Sequence, residues 1–361
     1  MAFTDNPGLS ITAATEYLVG KTVDTILNYS PVTLFFLANQ KPWRGVAMRI
    51  PVKYQSNSKG VSFNGLDKFS TEVSSNFVNM SFDPTGREIP VVIPQMDVDV
   101  AETNRSIDIV ARQLASDAQD MASDIATRFW TLQTGTHFLS ILDGVDDGDL
   151  GATTYGGLSR TTYTTLNGTV TNVAGNVTLA NMGTAFNAAV HGSEKPNLIV
   201  ADKTVWNYYE ALLTATLSTQ VTQNTMLGYS MFTGASPNGF PNIVAPGTNL
   251  RGAQGFNAIS YRGAWVVADE NITAGYLAYL NTNAWAFYGV PSKHPKAKPI
   301  KFVSDSIEYG VYNIPVTNGF SWLDFQSPID QYGQVGHIIL EGNLICRNPR
   351  LNSLQTGITG S

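Results

Sequence analysis

One short acidic run has residue types that could bind calcium. Residues 143–149, with the sequence DGVDDGD, place four carboxylates within seven residues. Counted from Asp143, Gly148 occupies the sixth position, where a calcium loop of the EF-hand type requires a glycine. The third position is Val145, however, and the twelfth is Thr154, where that loop requires a bidentate glutamate. We therefore interpret this run as a solvated loop that follows a helix.

Other candidate residues lack the partners that their chemistry requires. Asp97 and Asp99 could be the paired carboxylates of a glycoside hydrolase, but two residues apart on a strand they mark its solvent face. The histidines occur singly, without ligand spacing, and are interpreted as loop or surface residues: His137, His191, His294 and His337. No nucleophile elbow, phosphate loop, dinucleotide fingerprint or zinc-protease motif occurs. We expect no enzyme, and no catalytic, cofactor-binding or metal-binding residues.

Two sets of lysines are further candidates. A basic stretch that could contact nucleic acid contains Lys293, Lys296, Lys298 and Lys301. No aromatic residues interleave with it for base stacking, so a solvated loop is the favoured interpretation. A covalent cross-link is a second possibility, between one of Lys53, Lys59 and Lys68 and one of Asn343, Asn348 and Asn352. Such a bond needs a desolvated lysine beside a carboxylate base, and nothing in the sequence specifies one.

The composition excludes several classes of protein. Of 361 residues, 43% are hydrophobic and 14% charged, which excludes a disordered chain and indicates surfaces that partners bury. With 28 acidic and 22 basic residues the net charge is −6, so the chain is not built to neutralise phosphates. The single cysteine, Cys346, excludes an internal disulfide. No apolar run approaches the roughly 20 residues that span a bilayer, and no secretory signal is present, so we expect no membrane partner.

The first hundred residues predict an arm and a long hairpin. Residues 1–45 show no closed element, and Ser30-Pro31 is expected to end a loosely helical segment. Strict alternation over residues 46–54 predicts a half-buried strand, and three further apolar runs continue to residue 100. Residues 46–100 are therefore interpreted as one long hairpin. Because a lone hairpin is marginal in water, we expect it to lie across a neighbouring chain.

The strongest helical signal follows this hairpin. Apolar residues recur at spacings of three and four from Ile107 to Leu132, which predicts one amphipathic helix over about residues 105–133. Gly135 stands where a C-terminal cap is expected. At ~1.5 Å per residue this helix would be a rod of ~43 Å.

The rest of the chain mixes short strands and helices. Turns are expected at Gly156-Gly157 and Asn167-Gly168. Helices are predicted over residues 179–190 and 204–213, and strands over residues 198–201, 264–268, 276–280, 285–288 and 336–347. Residues 219–257, which are rich in Gly, Asn and Pro, predict a long exposed loop.

The order of arm, hairpin, long helix and mixed domain resembles the major capsid protein of tailed bacteriophages. Residues 155–163 (YGGLSRTTY) look like the Gly-Gly-hydrophobic-x-Arg stretch that follows the long "spine" helix in such proteins. Residues 196–200 (PNLIV) with 206–210 (WNYYE) are similar to the core of their axial domain. Residues 279–282 (YLNT) and 342–350 (GNLICRNPR) resemble their closing segments. The fold is shared with encapsulins and herpesvirus capsid floor domains.

This resemblance implies an α+β fold in five parts. These are an N-terminal arm (1–45), an extended loop (46–100), a peripheral domain with the spine helix (101–177), an axial domain (178–318) and C-terminal return strands of the peripheral domain (319–361). It implies a structural protein that forms pentamers and hexamers of an icosahedral head around viral DNA, without sequence-specific DNA binding. The protein would be found in the virion after assembly in the host cytoplasm.

Further partners follow from the same resemblance. Separate scaffolding, portal and decoration proteins are implied. With only about 100 residues before the spine helix, we expect that a scaffold is another protein or that a leading segment was removed. The alternatives are an encapsulin-type compartment shell and, from a different class, a soluble β-rich hydrolase.

Overall fold

The computed structural model describes residues 22–23, 30–65, 68, 71–96, 109–216, 259–290, 297–298, 307–308, 320–328 and 332–360. The helices of this part of the chain are Pro31–Ala38 (α1), Ile109–Phe129 (α2), Ile141–Val145 (α3), Leu179–Ala188 (α4) and Lys203–Thr216 (α5). The strands before residue 200 begin with Thr22–Val23 (β1), Lys41–Pro42 (β2), Met48–Lys53 (β3), Phe77–Phe82 (β4), Thr85–Pro94 (β5), Thr154–Tyr155 (β6), Leu158–Ser159 (β7), Thr169–Asn176 (β8) and Leu198–Ala201 (β9). The later strands are Ile259–Tyr261 (β10), Ala264–Ala268 (β11), Leu277–Leu280 (β12), Trp285–Gly289 (β13), Ala297–Lys298 (β14), Ile307–Glu308 (β15), Phe320–Gln326 (β16), Gly333–Cys346 (β17) and Ser353–Gly360 (β18).

Two six-stranded sheets carry the fold. The first has the order β10-β11-β9-β12-β18-β8, and its central strands β9 and β12 are buried at every residue. Such continuous apolar strands are covered on both faces. Residues of α4 and α5 belong to one of the apolar clusters that cover them. The second sheet has the order β14-β16-β17-β13-β2, with β5 also paired to β17.

The sequence located this first sheet and its helices well. The strands predicted over residues 198–201 and 264–268 have those bounds in the structure, and the two predicted helices are α4 and α5. The long loop predicted over residues 219–257 lies outside the described residues. Short buried runs flanked by turn residues identified these strands without any knowledge of their partners.

The N-terminal segment differs from the expectation of an arm without closed elements. Ser30 caps a helix that follows it, since its side chain accepts a hydrogen bond from Thr33 N (3.2 Å) and Pro31 occupies the first turn of α1. The loosely helical segment predicted before Ser30 lies outside the described residues. Phe36 is buried against Phe129 and Trp285. A helix that is apolar on nearly every side has no amphipathic stripe, so periodicity could not find it.

The predicted hairpin over residues 46–100 is shorter than expected. β3 and β4 pair antiparallel from Met48 opposite Phe82 to Lys53 opposite Phe77. β5 leaves the hairpin and instead pairs with β17 along all of its ten residues. Alternation predicts a half-buried strand but does not identify its partner, which is why β5 was assigned wrongly.

The spine helix α2 has 21 residues, which corresponds to about 31 Å. It ends at Phe129, four residues before the predicted end, where Trp130 N and Thr131 N donate to carbonyls three residues back. Met121 and Ile125 are fully buried, which confirms the apolar stripe in this half of the helix. Residues 101–108 lie outside the described residues. None of the described helices is both long enough and apolar enough to cross a bilayer.

Candidate assembly surface

The described residues between 48 and 82, which we call the hairpin, are not part of the two large sheets. β3 and β4 form a two-stranded sheet of their own. The connecting residues 55–65 and 71–73 are exposed throughout. Within the hairpin, Lys59 and Glu72 form an ion pair across the loop.

The part of the hairpin between its strands and its loop, which we call the neck (Tyr54 and Asn76), contacts the body of the molecule. Tyr54 N donates to Asn76 O (3.0 Å), which closes the loop above the strands. Thr165 Oγ1 donates to Tyr54 O (2.7 Å), and the rings of Tyr54 and Tyr163 meet edge-to-face at 5.2 Å. These contacts set the direction in which the hairpin leaves the body.

The end of the hairpin that joins the body, which we call the root (Met80 and Phe82), is part of the main apolar core. Met80 and Phe82 are buried, and the Phe82 ring packs edge-to-face on Tyr155 at 5.3 Å. Gly156 has a φ of +57°, and its lack of a side chain lets Met80 pack closely. A Cβ at this position would lie only 2.8 Å from the Met80 Cβ. Its carbonyl accepts from Ser81 N (2.8 Å). The glycine turn predicted at residues 156–157 is therefore confirmed, and it packs against the root of the hairpin.

Apolar side chains are exposed along and beside this hairpin. Phe63, Phe77 and Val73 are 61%, 67% and 94% exposed, and Val61 and Val46 are exposed as well. Large apolar side chains gathered on one projecting element are typical of a surface that binds a partner. A second exposed apolar group lies at the far end of the β5–β17 pair: Val92, Met96 and Tyr332.

Residues 143–146 of the acidic run are buried, contrary to the solvated loop that the sequence predicted, whereas Gly148 and Asp149 are exposed as expected. Asp146 is fully buried, and its carboxylate accepts from the backbone N–H of Gly148, Leu150 and Ala152 at 2.8–3.0 Å. Asp143 caps α3 with Ser140, and burial raises its pKa. Carboxylates saturated by backbone donors do not form a calcium loop. Within the described residues, no group of three or more His, Cys, Asp or Glu side chains is placed to hold a metal.

The buried Arg160 binds the backbone of the acidic run. It is 2% exposed and donates to the carbonyl oxygens of Asp143 and Asp146, while its guanidinium lies 5.3 Å from the centre of the Tyr155 ring. Burial lowers the pKa of Arg160, and Asp146 is the strongest of the neighbours that oppose this shift. Tyr155 in turn accepts from Cys346 N (2.8 Å). The Gly-Gly-x-x-Arg stretch is thus a structural clamp between the α3 turn and β17.

The asparagines considered for cross-linking also hold backbone in place. Asn343 accepts from Leu139 N (2.8 Å) and donates to Asp83 O (2.9 Å). Asn352 accepts from Asn281 N (3.0 Å) and from the Trp285 indole (2.9 Å). These buried bonds give both amides a structural role.

Two of the remaining candidates, His337 and His191, lie in the described part of the chain. His337 Nδ1 lies 3.4 Å from Glu88 Oε2 across the β5–β17 pair. Burial lowers the pKa of His191, which lies near Arg350. Asp97, Asp99, His294, Lys293, Lys296 and Lys301 lie outside the described residues.

Comparison with known proteins adds structural relatives only. No family model matches this sequence, and no curated protein matches it either. The capsid subunit of cyanophage A-1(L) matches 95% of this chain and 96% of its own, with 14% identity and a TM-score of 0.69. The SrpI encapsulin of Synechococcus elongatus matches 99% and 96%, with 11% identity and a TM-score of 0.57. The capsid of the myovirus XM1 matches 95% and 97%, with 10% identity and a TM-score of 0.52.

These matches confirm the fold class that was predicted from the sequence. They extend over nearly the full length of both chains, so the likeness concerns the fold as a whole and not one domain of it. The relatives are shell proteins and not enzymes. This chain has the α+β fold that phage capsid subunits share with an encapsulin.

Proposed function

We propose that this chain is the major capsid protein of a tailed phage, a structural subunit that assembles with its own copies into an icosahedral head around viral DNA. The observation that carries the proposal is the agreement with a cyanophage capsid subunit over 95% of the chain at a TM-score of 0.69. Every part of a shell subunit contributes to the shell, so agreement along the whole chain supports assembly more strongly than one matching domain would.

The exposed apolar hairpin supports the same proposal. Its root and neck are fixed, yet Phe63, Val73 and Phe77 face solvent in the isolated chain. In a shell of pentamers and hexamers, the hairpin of one subunit lies on its neighbour, and repeated weak contacts add up through multivalency. Burying one Phe side chain contributes roughly 1.5–3 kcal/mol.

The charge of the chain suits a container for DNA. A net charge of −6 gives the chain as a whole little affinity for phosphates, which suits a shell that encloses DNA without reading its sequence. In this proposal the subunit is not an enzyme and needs no cofactor, and separate scaffolding, portal and decoration proteins complete a virion that is assembled in the host cytoplasm.

An encapsulin-type compartment is the second candidate. The SrpI encapsulin covers 99% of the chain at a TM-score of 0.57, so the fold fits this function as well. The two functions differ in their contents, because an encapsulin holds a cargo protein and a phage head holds DNA.

Expression of the full chain and electron microscopy of the purified product test the proposal. Closed particles, or pentamers and hexamers where a scaffold is lacking, are the expected result. A co-purifying cargo protein inside the particles favours the encapsulin function. A chain that stays monomeric at every concentration would refute both shell functions.

A further inference from the structure

Two cationic side chains meet at one edge of the second sheet. β2 is the edge strand, and Lys41 is the register partner of Tyr288 in its parallel pairing with β13. Arg347 Nε and Nη2 donate to Tyr288 Oη at 3.0 and 2.5 Å, and the guanidinium lies 5.9 Å from the ring centre. Register partners on adjacent strands point to the same face of a sheet. Lys41, Tyr288 and Arg347 therefore converge on one face of this edge.

This pair of cations has no acidic partner in the described part of the chain. None of the ion pairs between described residues includes Lys41 or Arg347. Burial and the nearby Arg347 guanidinium both lower the pKa of Lys41. Two cations this close repel one another, so an anion between them would stabilise both.

The three side chains offer a set of donors that suits an oxyanion. Two N–H groups of Arg347 are directed to Tyr288. The other N–H groups of the guanidinium are available to a second acceptor. The Tyr288 hydroxyl accepts those bonds and keeps its own hydrogen to donate, and the Lys41 ammonium is exposed. Hydrogen bonds from such charged donors are stronger than hydrogen bonds between neutral groups.

We propose that Lys41, Arg347 and the Tyr288 hydroxyl bind a carboxylate side chain of a second copy of this chain. The inference rests on the proposed function, since a shell supplies the second copy. The copies carry 28 acidic residues against 22 basic ones, so carboxylates are the surplus charge on any neighbouring subunit. A nucleic-acid site needs many cations along a groove, whereas this one has two.

The place of the site in the chain supports this partner. β2 ends at Pro42, and only residues 43–47 separate it from β3 of the hairpin. An ion pair to a neighbour at this point would fix the segment from which the hairpin departs. The site would thus add a polar anchor beside an apolar contact, which is the usual arrangement of a protein interface.

Assembly of charge variants is the first test. Lys41→Gln and Arg347→Gln should each raise the subunit concentration required for particles roughly tenfold at low salt. Lys41→Arg, which keeps the charge, should assemble like the wild type. Circular dichroism and thermal unfolding of the unassembled chain verify that each variant is folded. Unchanged assembly of both Gln variants overturns the inference. Variants that assemble normally but lose bound nucleic acid overturn it as well, because their behaviour would show that the site binds phosphate.

Zero-length cross-linking is the second test, and it does not depend on variant stability. A water-soluble carbodiimide joins a lysine amine to a carboxylate in direct contact. Wild-type particles should give a Lys41 peptide joined to an acidic peptide, and dissociated subunits at equal protein concentration should not. A Lys41 peptide that stays unmodified in intact particles contradicts the site. A wild-type chain that stays monomeric at every concentration overturns the proposed function and this inference with it, whereas particles without the cross-link overturn the inference alone.

Discussion

Buried ionisable side chains in this protein hold backbone segments in place. Asp269 is 1% exposed and accepts a hydrogen bond from Ser30 Oγ (2.6 Å), the residue that caps α1. Asn271 N and Nδ2 also donate to it, at 2.9 and 3.1 Å. A buried carboxylate is costly unless such donors satisfy it. One side chain of the loop after β11 thereby anchors the first helix.

The pH dependence of stability should report on this anchor. Burial raises the pKa of Asp269 above its usual value of 3.8. A raised pKa in the folded state means that the stabilisation is fully present below the unfolded-state pKa and is lost as pH rises through the folded one. We expect the free energy of unfolding of the wild type to fall, relative to Asp269→Asn, as pH rises from about 4 towards neutrality. Urea unfolding of both proteins at several pH values measures this difference.

Asp149 provides the matched control for this experiment, because it is an exposed aspartate. Asp149→Asn removes an exposed carboxylate, and its urea unfolding over the same pH range gives the baseline against which the effect of the buried carboxylate is judged. If the wild type and Asp269→Asn gave parallel pH profiles, the role assigned to the buried carboxylate would be wrong.

Residue roles were the part of the site that the sequence predicted least well. Four aspartates among glycines are typical of a solvated loop, and only the three-dimensional structure brings Arg160, 17 residues beyond Asp143, beneath them. Asn343 bonds to backbone more than 200 residues away, at Leu139 and Asp83. Local composition does not encode partners at such distances, so burial of these polar residues could not be predicted.

The spine helix is attached to the body by two different faces. Met121, Ile125 and Phe129 are fully buried along one stripe. Asp124 lies off that stripe and binds Arg87 of β5 through two hydrogen bonds of 2.8 and 3.2 Å. The helix is thus packed on the core and paired to the strand that follows the hairpin.

Replacement of Met121 with Asp should break the packing of this helix. An unpaired charge would enter a fully buried apolar site, and we expect a loss of about 3–5 kcal/mol in the free energy of unfolding, or failure to fold. Ser116→Asp, an exposed change on the same helix, should alter stability by no more than about 0.5 kcal/mol. Urea unfolding compares the two, and equal stabilities would show that the stripe was assigned wrongly.

Periodicity predicted the elements that have two distinct faces. α2 and α4 have an apolar stripe, and β3 alternates between half-buried and exposed residues as expected. Periodicity failed for α1, which is buried around most of its surface, and it did not identify β17 as the partner of β5. Patterns in sequence report which faces of an element are buried and leave open what buries them.

At the scale of the whole molecule, the described chain divides into a closed body and an open hairpin. The segment from α1 to β2 packs onto the body of its own chain, although the sequence predicted no closed element there. The hairpin shares its root with that body and exposes the rest. The parts of the molecule that determine folding and those that would determine assembly are therefore separable.

This separation predicts the result of shortening the hairpin. Replacement of residues 56–74 by a short Gly-Ser linker removes Val61, Phe63 and Val73 but keeps the Tyr54–Asn76 closure and the buried Met80 and Phe82. Because the described side chains among residues 56–73 are exposed, we expect thermal unfolding close to that of the wild type, while electron microscopy shows no closed particles. The double variant Lys59→Glu with Glu72→Lys retains the apolar surface and reverses one exposed ion pair, so it should still form shells. If the shortened chain formed shells of normal size, neighbouring subunits would not need the apolar side chains of the hairpin. Assembly would then depend on other surfaces.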